Sequence, residues 1–170
     1  AKVLAFAHKL TEAIYSYGAG PLEAPAWIPG HGPKLKALVF DASDLQHTDQ
    51  LKQLREFFQP LLKNLDHSAH LVILGRTPES LSDPFAASAQ RALEGFSRSL
   101  AKELRNGGVL QLLSVGQGAE DQLEGALRFF LSPKSAFVSG QVVRLQACTA
   151  QVQDWSRPLA GRKALVTGAA

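Results

Sequence analysis

Residues 70–75, His-Leu-Val-Ile-Leu-Gly, decide the fold of this chain. Their four consecutive apolar side chains, followed by a glycine, are typical of a strand that is buried on both faces of a parallel sheet. Similar short apolar runs occur at 35–40, 109–115 and 141–145. The sequence therefore predicts four strands.

Helical segments separate these strands. Leucine and phenylalanine recur at intervals of three and four residues in 48–65, 84–105 and 119–131, which predicts amphipathic helices. Asp83 and Pro84 provide an N-cap and a first helical residue for the second helix. Strands that alternate with helices over short links predict an α/β fold with right-handed crossovers. We expect a doubly wound parallel sheet, Rossmann- or flavodoxin-like, with helices on both faces.

The chain divides into three predicted parts. Residues 1–146 form the first domain, with a helix over 2–16 and a Gly- and Pro-rich loop over 17–33, and we expect its start to be incomplete because the chain contains no methionine. Residues 147–161 have few apolar anchors and are predicted to be a linker. In 162–170 an Ala-Leu-Val run leads into Thr167 and Gly168, as a strand leads into a dinucleotide-binding turn. These two residues are candidate cofactor contacts at the start of a second, truncated domain.

Composition excludes several functions. The longest apolar runs are far shorter than the ~20 residues that span a bilayer, and mean hydropathy is near zero at −0.04. Acidic and basic residues are interleaved, which argues against a nucleic-acid partner. The five histidines lack the spacing of metal ligands, so we expect no metal and expect the histidines at the surface or at helix caps. Cys148 is the single cysteine, which rules out an internal disulfide and favours a cytoplasmic location.

Several segments resemble the short-chain dehydrogenases/reductases. Residues 86–104 resemble that family's active-site helix, 110–116 its sixth strand and the following turn, and 137–145 its penultimate loop and last strand. The C-terminal Ala-Leu-Val-Thr-Gly of residues 164–168 is similar to the first strand of the same family. Two such units in tandem resemble the long-form 3-oxoacyl-[acyl-carrier-protein] reductases, in which a degenerate N-terminal domain precedes a complete reductase domain.

The resemblance implies that the first domain has lost the family's chemistry. Members carry a Tyr that protonates the substrate carbonyl and, four residues later, a Lys that lowers its pKa and holds the ribose. Alignment on the Gly-Phe pair at 95–96 puts Ala86 and Gln90 at these positions, and Arg76 at the position of the catalytic Ser. We therefore expect no catalytic residue and no bound cofactor in this chain, with NADH or NADPH used by the parent protein's C-terminal domain.

Two supporting roles remain open for the first domain. Arg76 and Thr77 are expected where a strand ends, the edge at which open α/β sheets bind ligands. A guanidinium there suits a phosphate such as that of a carrier phosphopantetheine, whereas a solvated loop is the alternative. The apolar helices over 48–65 and 84–105 are candidates for a homodimer or an interdomain contact, or they simply cover the sheet.

The implied function is that of a non-catalytic N-terminal domain in an NAD(P)H-dependent 3-oxoacyl-ACP or 3-oxoacyl-CoA reductase of fatty-acid metabolism. Its expected partners are the C-terminal reductase domain, a second copy of the chain, and the parent's acyl-carrier protein or acyl-CoA. A ligand- or carrier-binding module and a purely structural dimerisation domain are the alternatives. In each case we expect residues 1–170 alone to be inactive.

Overall fold

The computed structural model describes residues 34–149, 154, 156–157, 159–163 and 165–168. Within these residues, four parallel strands form one sheet in the order β1-β2-β3-β4. The strands are β1 (Leu35–Asp41), β2 (Leu65–Arg76), β3 (Val109–Val115) and β4 (Gln141–Leu145). The connecting helices are α1 (Lys52–Leu61), α2 (Pro84–Glu103) and α3 (Leu123–Phe130). The predicted α/β fold with a parallel sheet is confirmed.

The element boundaries follow the sequence pattern with local differences. β3 and β4 have the predicted bounds, whereas β2 begins five residues earlier than predicted, at Leu65. The predicted first helix is an α-helix only over Lys52–Leu61, because 3-10 turns precede and follow it. In α2 the predicted N-cap is confirmed: a carboxylate oxygen of Asp83 accepts a hydrogen bond from the Ala86 N–H at 3.1 Å.

Helices cover both faces of the sheet. Between the sheet and α1 and α2 lies one apolar layer, which includes Leu38, Phe40, Leu71, Ile73, Leu110 and Leu112. Between the sheet and α3 lies a second, which includes Val72, Leu74, Leu113, Val115, Leu127 and Phe130. Every crossover steps in the same direction along the sheet, so the α3 crossover has the opposite hand to the other two. The expectation of uniformly right-handed crossovers is therefore wrong.

Gln111 lies in the middle of β3 and is buried, with 1% of its surface exposed. Its amide nitrogen donates a hydrogen bond to the Val138 carbonyl, and its amide oxygen accepts one from the Gln141 N–H at 3.1 Å. A buried polar side chain is tolerated when such partners satisfy it. Gln111 therefore fixes the loop that leads into β4.

His70 is a second buried polar residue of the sheet, which corrects the expectation that the histidines lie at the surface or cap helices. It is 5% exposed, and its Nδ1 lies 3.0 Å from the Phe130 carbonyl oxygen. The Ser135 hydroxyl donates to the same carbonyl at 3.1 Å. Burial lowers the pKa of His70 below its ordinary 6.5; the hydrogen bond to Phe130 opposes this shift, and the charge of Lys36 adds to it.

The lowered pKa of His70 predicts a loss of stability in mild acid. The folded state favours the neutral ring, so this contribution is complete above pH 6.5 and is lost as pH falls from there toward the folded-state pKa. Denaturation of wild type between pH 7.5 and about 5 should show a decline that His70→Asn largely removes. The control is His67→Asn, because His67 is exposed on the same strand. An equal decline in wild type and His70→Asn would contradict the prediction.

Three further expectations concern the ends of the chain. The predicted helix over 2–16 and the loop over 17–33 lie outside the described residues. Residues 165–168 have irregular backbone, and Leu165 and Val166 are 91% and 76% exposed. The division into a first domain, a linker and a truncated second domain therefore stays a prediction.

Of the helices among the described residues, none is both long and apolar enough to cross a membrane.

Candidate functional site

The carboxyl ends of the parallel strands meet at one edge of the sheet, as the sequence implied. Asp41 ends β1, and Arg76 ends β2 with Thr77 directly after it. Each of the three side chains contacts a different partner. An Asp41 carboxylate oxygen accepts a hydrogen bond from the Ser43 N–H at 3.0 Å, which closes a local turn.

Arg76 is engaged in an ion pair. Its Nη1 lies 2.6 Å from Oε1 of Glu120, and the two side chains are 35% and 44% exposed. Glu120 opens the short turn that leads into α3. The guanidinium therefore links the end of β2 to this turn. Sequence reasoning missed Glu120 because the two residues are 44 positions apart.

Thr77 contacts the neighbouring strand. Its hydroxyl lies 3.2 Å from the Ser114 hydroxyl, and its N–H donates to the Val115 carbonyl at 3.2 Å. These bonds extend the pairing of β2 with β3 by one residue. Ser114 is nearly buried, and its described hydroxyl contact is to Thr77 rather than to a histidine. The pair therefore lacks the adjacent base that a nucleophilic serine requires.

Ala86 and Gln90 lie one turn apart on α2, and both are buried, with 8% and 2% exposed surface. The Gln90 amide oxygen accepts a hydrogen bond from the Arg76 N–H at 2.7 Å. Its amide nitrogen donates to the carbonyls of Ala42 and Leu45 at 2.8 and 3.0 Å. One side chain thus joins α2, the end of β2 and the segment after β1. This role was not anticipated from the sequence.

Glu79 forms a small ionic network beside this edge. Its Oε1 accepts hydrogen bonds from Arg91 Nη2 at 2.5 Å and from Arg144 Nη2 at 2.9 Å. The hydrogen bond from Arg91 is the main reason that the pKa of Glu79 falls to about 2. The group is thus a carboxylate at any physiological pH. The network connects the turn after β2 with α2 and β4, which are distant in sequence.

An open groove of about 580 Å³ runs along the outer side of α2 next to this network. It is lined by Pro78, Glu79, Ala87, Ser88, Arg91 and Ala92. The groove is shallow and contains no acid–base pair other than the ion pair of Glu79 and Arg91. Over the part of the chain that the structure describes, no cluster of three or more His, Cys, Asp or Glu could hold a metal ion.

Comparison with known proteins gives a match in structure alone. No family model matches this chain, and no curated protein does. A short-chain dehydrogenase/reductase from Serratia marcescens superimposes with a TM-score of 0.54 at 15% identity, over 66% of this chain and 64% of the other. The described residues share the Rossmann-like α/β fold of this structure.

Two further structures support this fold. One from Brucella melitensis, described as a glucose/ribitol dehydrogenase, has a TM-score of 0.55 at 14% identity, over 66% of this chain and 62% of the other. BdcA, solved in complex with NADPH, has a TM-score of 0.53 at 14% identity, over 66% and 65% of the two chains. The chain thus spans somewhat less than two-thirds of the length of each structure. At these identities the similarity establishes the fold and not the activity.

The family's fold implies a nicotinamide cofactor, and the described carboxyl edge does not fit one. No glycine lies between β1 and α1, so the chain there lacks the glycines that let a backbone approach a pyrophosphate closely. After β3, the turn contains Gly116, but a Cβ on it would lie 3.0 Å from the Leu145 carbonyl oxygen. That glycine therefore serves packing against β4.

The two candidate cofactor residues near the C-terminus belong to neither of these turns. Thr167 and Gly168 lie in irregular, exposed backbone. Gly168 has a φ of +73°, and a Cβ added there would meet no atom within 4 Å. Their role in a dinucleotide-binding turn stays a prediction.

Proposed function

We propose that this chain supplies a non-catalytic N-terminal domain to an NAD(P)H-dependent 3-oxoacyl-ACP or 3-oxoacyl-CoA reductase of fatty-acid metabolism. Hydride transfer belongs to a C-terminal reductase domain that begins near residue 162. The first domain supports that catalytic domain, through packing and homodimer formation. The fold similarity to reductases and the sequence of residues 162–168 support this assignment.

The observation that carries the proposal is the use of Gln90. It aligns with the family's catalytic Lys, yet its amide is bonded to three main-chain groups and is 2% exposed. Ala86, at the position of the catalytic Tyr, has no proton to donate. The helix that carries chemistry in the family therefore serves here as a structural element. Fold and function separate readily in this way.

Carrier docking is the second candidate role, and a specific arrangement favours it. Arg76 and Thr77 lie at the carboxyl edge, and the Arg76 side chain is 35% exposed despite its ion pair. A phosphate could compete with Glu120 for this guanidinium, since Arg binds both groups in the same geometry. Arg76→Glu should then weaken binding of a phosphopantetheinylated carrier protein. Association between copies should be unchanged.

The proposal is tested by assaying residues 1–170 for oxidation of NADH or NADPH in the presence of a 3-oxoacyl-CoA. We expect no turnover above the rate without protein, because neither Ala86 nor Gln90, which stand at the positions of the family's Tyr and Lys, can supply the proton. The positive control is the same assay with the full-length parent protein. Reduction of the substrate by residues 1–170 alone would overturn the proposal.

A further inference from the structure

The outer face of α2 carries a row of basic residues. Arg91, Arg98 and Lys102 are spaced by seven and four residues, which places them on one side of a helix with 3.6 residues per turn. All three are exposed, and Arg105 follows just beyond the end of the helix. We call Arg91, Arg98 and Lys102 the α2 basic face. Over 20 residues the helix is about 30 Å long.

The carboxylates near this face do not balance it. Glu79 and Glu94 are shared among three guanidiniums, those of Arg91, Arg98 and Arg144. The contact of Arg98 with Glu94 is the longest of these, at 4.0 Å.

The cations at the C-terminal end of α2 have fewer ionic contacts than Arg91. Among the described residues, Lys102 and Arg105 form no ion pair. Glu103 is the next residue after Lys102, and it lies about 100° around the helix from it. The face therefore keeps an excess of positive charge in solvent.

The groove along α2 adds an apolar part to the same surface. Pro78, Ala87 and Ala92 line it together with Arg91. An apolar groove that continues into a row of cations is complementary to a helix with an apolar stripe flanked by carboxylates.

We propose that the outer face of α2 is a docking surface for an acidic amphipathic helix of a partner protein. The apolar stripe of that helix fills the groove, and its carboxylates pair with Arg98 and Lys102. A homodimer of the first domain is expected to use another surface, because two copies that met at this face would bring the same cations against each other. A membrane is a poor occupant as well, since the groove is lined by small side chains and by the charged Glu79 and Arg91 rather than by large apolar ones.

The test uses a designed peptide of about 18 residues, long enough to lie along α2, with leucine at helical spacing and glutamate on the flanks. Its binding to residues 1–170 is measured by titration calorimetry. The double variant Arg98→Glu/Lys102→Glu should bind at least about tenfold more weakly. A peptide with lysine in place of glutamate should not bind wild type, and added salt should weaken the acidic complex.

The matched control is Lys134→Glu/Arg162→Glu, which changes net charge equally at exposed sites outside α2. Binding close to that of wild type supports the proposal. Equal losses in both double variants would show attraction to net charge alone and overturn it. It is also overturned if sedimentation shows a dimer that only the α2 variant dissociates, or if anionic vesicles bind with the same dependence on Arg98 and Lys102.

Discussion

Replacing Gln90 by leucine is expected to lower the free energy of unfolding by about 3 kcal/mol. The substitution leaves the Arg76 N–H and the Leu45 carbonyl without their side-chain partner, and each buried orphan costs about 1–3 kcal/mol. The Ala42 carbonyl loses less, because it also accepts a hydrogen bond from the Leu45 N–H at 3.1 Å. Denaturant unfolding followed by circular dichroism measures the change.

The control for Gln90 is Ser97→Ala on the same helix. Ser97 is fully buried, and its hydroxyl has no hydrogen-bond partner among the described residues. Removing that hydroxyl should leave stability unchanged or raise it. Gln90→Lys, which restores the residue type of the catalytic family, should also destabilise the domain, because an ammonium cannot accept the hydrogen bond from Arg76. A cost for Gln90→Leu no larger than that for Ser97→Ala would refute the structural role.

Replacing Gly75 by alanine is expected to cost about 2 kcal/mol. A Cβ at this position would lie 2.7 Å from Leu93 Cδ1 and 2.9 Å from Gln90 Oε1. Both are ends of side chains, but Leu93 is fully buried and Gln90 is held by its hydrogen bonds, so neither can easily move away. Glycine is therefore needed where α2 packs closely against β2. The same unfolding measurement gives the effect.

Gly95→Ala is the matched substitution. Gly95 lies on the exposed side of α2, and a Cβ added there would meet nothing within 4 Å. Alanine should raise stability by about 0.5–1 kcal/mol, since glycine is a poor helix former. If Gly75→Ala were as harmless as Gly95→Ala, α2 would not be packed against β2 as the structure shows.

The sequence predicted the sheet well because the strand signal is local. The apolar runs at 109–115 and 141–145 begin and end clearly in the sequence, and the strands have those same bounds. β2 was predicted too short because its first residues, Leu65 to Ala69, mix polar and apolar side chains without a clear run. The hand of the α3 crossover could not be predicted, since it depends on which face receives the helix.

The candidate site was harder to predict because its contacts are non-local. Arg76 and Thr77 lie at the expected edge, but nothing in the sequence pairs Arg76 with Glu120 or Glu79 with Arg144. Gln90 looks like an ordinary surface residue in the sequence, and Gln111 interrupts an apolar run without indicating its partners. Both side chains are buried because they form hydrogen bonds with main-chain groups of segments that are distant in sequence. Those segments come together only in the folded chain.

The most direct test of a non-catalytic domain is to titrate residues 1–170 with NADPH and to measure binding by calorimetry and by the fluorescence of the cofactor. We expect no saturable binding up to about 1 mM, the upper end of the range of usual Michaelis constants. A one-to-one complex with a dissociation constant in the micromolar range, weakened by substitution of Arg76, would contradict this expectation. The carboxyl edge would then be a working cofactor site.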